Sequence, residues 1–463
     1  MKRALVLAGC FALAWSIFRA HTQSMTLDES DSYIGYVLID WPGHWYASSG
    51  NHVLNSILMR LLHWMFGITH LAVRGPALLG AAIYIVAIYR LCTLLTDEVR
   101  LAFPLFVCFV YNPFTMDYMV AARGYSLALG FLMTAVYLLL REAIEEDPAR
   151  LPRSVAWASA CLALSFTANF SFAYVDFLCL ALFVAWKRCW MSLWPGAAVV
   201  LALSASVVQE WPKGQLYFGS RSLSELWRSL LVSSFYELNH ELVNPLLLRV
   251  LQGIQPWLPY LAMIGFVSQI WWKPRANRLT KALVFISALM AATLFCHWLQ
   301  FKLFKIPLPK ERTGIFLVTL PLLAFGIATA MPVASNLSRW ARRGSLAVLW
   351  IAAIYFVGCL RVVQFHEWAF GPDVRDAFAV IAEMSRREGI HEFPTAWHYT
   401  SSLEFYRRMY HADEIEPFRF FEPPPSGKRA YVLPYGIFQE FIQKEGLRVV
   451  YRGRHSDLVI AVR

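Results

Sequence analysis

Eleven apolar runs set the limits on what this chain can become. They fall at roughly 3–20, 74–95, 101–117, 121–140, 154–168, 170–186, 190–208, 255–272, 282–301, 314–332 and 345–364. Runs near this length suit a bilayer, where a helix satisfies its own backbone hydrogen bonds in the absence of water. A hydrophobic share of 58% against 16% charged residues, with a mean hydropathy of +0.46, puts most of the chain in lipid. The expected fold class is an α-helical polytopic membrane protein of about 11 spans with a small C-terminal α/β soluble domain. Interruptions at Pro104, Pro113 and the Asn169-Phe170-Ser171 turn leave counts of ten or twelve open. The net charge of +11 does not indicate nucleic acid, because Lys and Arg collect in short segments between apolar runs instead of forming a basic groove. The eight cysteines are scattered without a CxxC and read as small core residues.

Charge sets the expected orientation. With Lys2 and Arg3 holding the N-terminus in the cytoplasm, the inside segments carry Arg90 and Arg100, then Arg141, Arg150 and Arg153, then Lys187 and Arg188, then Lys273, Arg275, Arg278 and Lys281, then Arg339, Arg342 and Arg343. The first run is read as an uncleaved span, because the apolar stretch before Cys10 is short for a signal peptide. An odd number of spans puts the tail outside. The expected division is a transmembrane domain, 1–364, with outside loops 21–73, 209–254 and 302–313, followed by an extracytoplasmic α/β domain, 365–463. In the first loop, "NHVLNSILMRLLHWMFG" has the spacing of an amphipathic helix lying in the interface. In the tail, "VRDAFAVIAEMSRREG" reads as a helix with a Gly stop. "RAYVLPYGIFQEFIQKEGLRVVYRGRHSDLVIAVR" reads as strand, helix, strand, turn and strand.

Candidate chemistry lies in the outside loops. Asp28, Glu29 and Asp31 follow the first span directly, and with Thr26 as N-cap, Asp28 and Asp31 share a helix face. They are either a solvated loop or a site that aims one carboxylate at a substrate. Arg123, in "AARGYSL", re-enters the membrane at the same depth and suits either interfacial snorkelling or that site. Lys302, Lys305, Lys310 and Arg312 run against the inside bias for cations, and phosphate is the natural reason. Carboxylates facing a phosphate site at a lipid boundary imply a lipid-phosphate substrate.

Four elements resemble the GT-C superfamily of integral membrane glycosyltransferases, in the bacterial branch related to protein O-mannosyltransferases and lipid A aminoarabinose transferases. They are Asp28-Glu29 after the first span, "GNHVLNSILMRLLHWMFGITHLAVRGPALLGA", "AARGYSLAL", and "LPKERTGIFLVTLPLL". The resemblance implies a sugar donor on a polyprenyl phosphate. It makes Asp28 the base or orienting carboxylate with Glu29 as its partner, and Arg123, Lys310 and Arg312 the donor-phosphate ligands. The pattern departs at His52, followed by Val-Leu instead of Pro-Pro, and at Thr313, where the family has Tyr. A divalent metal, held in some relatives by a Glu at the position of Asn51, loses that ligand here, and no cofactor is required.

The function this implies is transfer of a hexosyl or pentosyl group from a polyprenyl-phosphate sugar to a lipid, glycan or protein acceptor. It would take place on the extracytoplasmic side of a bacterial inner membrane, with inversion. The phosphate is already a good leaving group, so cations stabilise its departure while Asp28 takes the acceptor's proton. His52, His240, Trp45 and Tyr46 are candidate acceptor or sugar contacts, with surface placement or interfacial anchoring as alternatives for the last three. Asp117 and Asp176 are further carboxylates near or within spans. The alternative function is a multi-span transporter or flippase for a lipid-linked glycan. Such proteins commonly show internal repeats, and none is visible in this chain.

Overall fold

The computed structural model describes residues 1–39, 48, 50–209, 216–271, 277–333 and 335–463. Side chains supplied by the sequence mark many of the helix starts. Thr26, Thr69, Asn112, Ser222, Asn277 and Ser335 each accept a backbone N–H of the first turn, and Pro113 and Pro245 stand just inside the helices they begin. The first half of the chain contains α1 (Lys2–Thr22), α2 (Leu27–Ser32), α3 (Val53–Phe66), α4 (His70–Leu95), α5 (Val99–Val110), α6 (Pro113–Tyr118), α7 (Tyr125–Glu145), α8 (Leu151–Ala168), α9 (Ala173–Lys187) and α10 (Trp194–Gln209). The second half of the bundle contains α11 (Leu223–Ser234), α12 (Pro245–Ile254), α13 (Leu258–Trp271), α14 (Arg278–Phe304), α15 (Phe316–Ala330) and α16 (Asn336–Gly358).

Each of the eleven apolar runs lies mostly in helix among the described residues. Among the described residues, eight helical stretches are long and apolar enough to cross a membrane: Lys2–Thr22, His70–Leu95, Tyr125–Glu145, Phe170–Lys187, Pro245–Ile270, Arg278–Phe304, Glu311–Ala330 and Asn336–Gly358. The runs at 101–117, 154–168 and 190–208 lie in α5, α8 and α10, which are not among these eight. The first is the shortest, 12 residues, because Asn112-Pro113 starts a new helix and cuts it off.

Helices α7 and α8 form an antiparallel hairpin. At one end, Ser154 and Arg150 bond Glu142; at the other, Gly124 adopts φ +73 so close to α8 that a Cβ would lie 2.2 Å from the Ala168 carbonyl oxygen. Only glycine fits there. Helices α4 and α7 cross at Gly80, where a Cβ would lie 2.3 Å from the Leu127 nitrogen. The bundle therefore has two distinct ends. The exit of α1, the loop before α7 and the segment after α16 meet at the loop end, where Arg19 bonds Asp117 at 2.6 Å and Asp117 accepts the His366 N–H at 2.9 Å. The far end carries the turn around Glu146, which reaches Lys187 and Lys281, and the Arg342–Glu98 pair. Helix α3 lies at the loop end, burying Val53, Asn55, Ser56 and Met59 while exposing Trp64, Met65 and Phe66. That division is the amphipathic character expected of it.

The tail contributes α17 (Val374–Glu388), α18 (Trp397–Met409), β1 (Ala430–Pro434), α19 (Tyr435–Lys444), β2 (Arg448–Arg452) and β3 (Leu458–Val462). The strands form an antiparallel sheet in the order β1-β3-β2, with Ala430 opposite Val462 and a bulge between Val449 and Tyr451. Both faces of β1 and β3 are buried, whereas β2 is largely exposed at the edge. The apolar core of the tail runs on into the first loop, joining Phe378, Tyr399 and Tyr406 to Met25, Tyr33 and Val37. Polar bonds latch the same seam. Tyr406 accepts the Met25 N–H at 3.0 Å, Ser24 donates to the Pro372 carbonyl at 2.5 Å, and Ser401 donates to Asp31. The tail thus grips the helix that carries Asp28.

Candidate active site

Thr26 starts α2 with a full capping box, accepting the Glu29 N–H at 3.2 Å while Glu29 Oε2 accepts the Thr26 N–H at 2.9 Å. This local geometry aims the neighbouring carboxylates of Asp28 and Glu29 in different directions. Glu29 turns into the protein and is fully buried. Arg74 grips it with both arms of its fork, Nε to Oε1 at 2.9 Å and Nη2 to Oε2 at 2.8 Å, and the Ala122 N–H donates to Oε1 at 2.9 Å. Burial alone would raise its pKa, but the charge and hydrogen bonds of Arg74, with the two backbone donors, hold it below the usual carboxylate value. Glu29 was expected in the catalytic pair. The structure seals it from solvent and uses its oxygens to tie α2 to α4 and to the segment before Arg123.

Asp28 faces the other way, with about a fifth of its side chain exposed. Its Oδ2 lies 3.4 Å from Arg312 Nη2 and 3.9 Å from Arg123 Nε. Three residues from distant parts of the sequence therefore converge. Arg123 is placed by the clamp on its neighbour, since Ala122 is held by Glu29 on its N–H and by Asn55 Nδ2 on its carbonyl at 3.2 Å. Its guanidinium donates to the Asp28 carbonyl at 3.2 Å and to the Ser32 hydroxyl. Arg312 sits in the tight turn Glu311–Gly314, flanked by the rings of Phe218 at 4.8 Å and Trp368 at 5.9 Å. Its other arm, Nη1, donates to Glu367 Oε2 at 2.6 Å.

His52 joins this group. It is buried, its ring packs 5.6 Å from that of Tyr125, and neither ring nitrogen has a hydrogen-bond partner. Burial first, then the charges of Arg123 and Arg312, push its pKa well below the ordinary histidine value, so the imidazole is neutral.

Other expected contacts lie elsewhere. Lys310 Nζ lies 3.7 Å from Glu225 of α11, and no described ion pair joins it to Asp28. His240 is exposed in a turn and makes no described contact with the group. Trp45 and Tyr46 lie outside the described residues. Asp31 reaches Ser401 of the tail, and Asp117 pairs with Arg19. Asp176 is buried in the first turn of α9, with Ser165 of α8 beside it. Glu367 was missed by sequence reasoning. Its signal was faint, a single acidic residue in "HEWAF" just past the last apolar run.

The described residues do not suit a divalent metal. Asn51 offers a neutral amide oxygen that already accepts the Ser56 hydroxyl at 2.8 Å. Among the described residues no three His, Cys, Asp or Glu side chains converge.

Two crystal structures of ArnT from Cupriavidus metallidurans share the whole architecture. The apo form matches with a TM-score of 0.53 at 12% identity, and the form bound to undecaprenyl phosphate with 0.51 at 13%. Each match covers 98% of this chain and 97% of the other. The chain has the ArnT fold. The ArnT-like fold therefore runs along nearly the full length of the chain, well beyond the four short sequence elements. No protein-family model matches the chain, and no curated protein matches it by sequence.

Proposed function

We propose that the protein is a membrane glycosyltransferase that moves a sugar from a polyprenyl-phosphate donor to an acceptor at the loop end of the bundle. The observation that carries this reading is the meeting of Asp28, Arg123 and Arg312 at one point on the boundary of the apolar bundle. An ArnT structure of the same fold binds undecaprenyl phosphate, which supports a polyprenyl lipid as partner here.

In the proposed reaction Arg123 and Arg312 bind the donor phosphate and stabilise the charge that grows on it as the anomeric C–O bond breaks. An acceptor hydroxyl or amine attacks the anomeric carbon from the opposite face, and its proton passes to Asp28. One displacement inverts configuration. Glu29 is sealed away and supplies no second carboxylate to the same carbon. Glu29 and Arg74 act as positioning residues, since one carboxylate fixes both the helix of Asp28 and the backbone beside Arg123. The loop end is assigned to the extracytoplasmic side of a bacterial inner membrane by the cation bias of the opposite loops, which carries the tail outside.

The test is to incubate the purified protein in lipid with radiolabelled polyprenyl-phosphate sugars and a mixed acceptor pool. Consumption of at least one donor, with release of polyprenyl phosphate, is expected. Consumption of none, together with movement of the lipid across vesicles, would support the transporter reading instead.

A further inference from the structure

The loop end of the bundle holds a second recess, lined by none of Asp28, Arg123 and Arg312. Helix α5 packs against both α1 and α16 but stops at Val110, and the recess opens where its two longer neighbours run on past it. Arg19 comes from α1, Tyr111 and Met116 from the chain after α5, and Phe356 and Arg361 from the end of α16, with Tyr236 closing the group. It is narrow, so one oxygen of a ligand enters while the rest stays outside. Two guanidinium groups meet there with donors to spare. Arg19 is 1% exposed and gives Nη1 to the Met116 carbonyl at 3.2 Å and Nη2 to Asp117 at 2.6 Å, yet its Nε has no partner. Buried donors nearly always have one, so an acceptor is called for. Arg361 lies over the Tyr236 ring at 5.0 Å and donates to the Glu237 carbonyl. Asp117 answers the charge of Arg19, but among the described residues no ion pair joins Arg361 to a carboxylate, that of the exposed Glu237 included. One positive charge is therefore unmatched.

The surface toward the bilayer is apolar. Phe11, Trp15 and Arg19 follow one another at four-residue spacing on α1, and the Phe11 ring stacks on Trp15 at 5.9 Å and on Tyr111 at 6.3 Å. Phe11 and Phe18 of α1 and Ile354 and Val357 of α16 are exposed on helices that cross the membrane. Apolar walls capped by cations at the membrane boundary match a lipid with a charged headgroup. We infer that the recess binds an anionic glycerophospholipid from the leaflet at the loop end. One phosphate oxygen accepts from Arg19 Nε, Arg361 supplies the opposing charge, and the acyl chains lie along Phe11 and Val357. This site is separate from the one proposed for the donor phosphate, and it stands whether the protein transfers sugars or moves lipids. Arg19 also holds Asp117, which accepts the His366 N–H at the entry to the tail, so the bound lipid steadies that junction.

The competing explanation is that water alone fills the recess. Binding to the full-length protein in uncharged detergent separates the two, with phosphatidylglycerol and diacylglycerol of the same chains as probes. Wild type is expected to retain phosphatidylglycerol at least about tenfold more tightly than diacylglycerol, and to unfold at a higher temperature in its presence. Arg361→Gln is expected to weaken phosphatidylglycerol about ten- to a hundredfold and leave diacylglycerol unchanged. Arg361→Lys, the milder change, is expected to cost about two- to fivefold in the same direction. Arg312→Gln should leave phosphatidylglycerol binding as in wild type, and excess inorganic phosphate should not displace the lipid. Equal retention of the two lipids, or phosphatidylglycerol binding indifferent to both Arg361 variants, would overturn the inference in favour of water. Equal losses in Arg312→Gln and Arg361→Gln would merge the recess with the donor site, and displacement by inorganic phosphate would make it a site for the free ion; either result overturns the inference.

Discussion

The two ends of the bundle treat charge differently. At the far end Glu98 is 55% exposed, Glu146 48% and Lys281 50%, and the buried Glu142 is met by Arg150 and Arg141, which reach the surface. At the loop end Glu29 and Arg74 are completely buried, and Arg19 and Asp117 nearly so. Exposed pairs gain little from one another because water and salt screen them. Buried pairs carry a desolvation cost that only tight, fully bonded geometry offsets. Among the described pairs between helices, those with both side chains buried stand at the loop end, where they hold the segments that carry Asp28, Arg123 and Arg312.

This contrast can be broken by substitution. The largest effect is expected from Glu29→Ala, which strands Arg74 in a dry interior and should cost about 3–5 kcal/mol of stability, read as a large fall in the unfolding temperature of the purified protein. A loss below about 1 kcal/mol, the range of exposed pairs, would mean that the two ends are alike after all.

Next comes Arg312→Ala, expected to weaken binding of polyprenyl phosphate by about ten- to a hundredfold. Lys310→Ala should change it far less, because Lys310 already faces Glu225. Similar losses in both variants would restore Lys310 to the phosphate site.

Acidification should act on the same end with smaller, stepwise effects. His52 has a depressed pKa, so the unfolded chain takes up its proton first and stability falls as pH drops below 6.5 toward the folded value. Glu29 is also depressed, so its contribution is complete above 4.5 and is lost as pH falls through the folded value. His52→Gln should reduce the first step without removing it, because buried His70, depressed to about 3, takes part in it as well, and unfolding temperatures between pH 7 and 5 would show it. An unchanged first step would place its source outside His52. The smallest effect belongs to the far end, where Glu98→Gln should shift stability by less than about 1 kcal/mol. A larger loss would show that exposed pair to be structural.

Much of this architecture was legible in the sequence because hydrophobic periodicity and capping are local. The eleven runs gave helices, and "VRDAFAVIAEMSRREG" became α17, closing at Gly389 in the left-handed conformation. Thr26 capped α2 as its side-chain chemistry required. What local spacing could not decide was which carboxylate of the acidic cluster would be buried. Glu29 is committed by Arg74, 45 positions away, and Asp31 by Ser401, 370 positions away. Lys310 looked equivalent to Arg312 in sequence, but the turn Glu311–Gly314 sends one toward α11 and the other toward Asp28. Glu367 had no neighbours of its own kind to advertise it, and only the return of the chain after α16 brings it to Arg312.

The central claim is that Asp28 takes the acceptor's proton while the buried pairs merely position it. Asp28→Asn preserves size and removes the base, so turnover of the preferred polyprenyl-phosphate sugar in lipid should fall by about 10²- to 10⁴-fold. Binding of the sugar-free lipid and the unfolding temperature should stay near those of wild type. Turnover unchanged in Asp28→Asn would contradict the account.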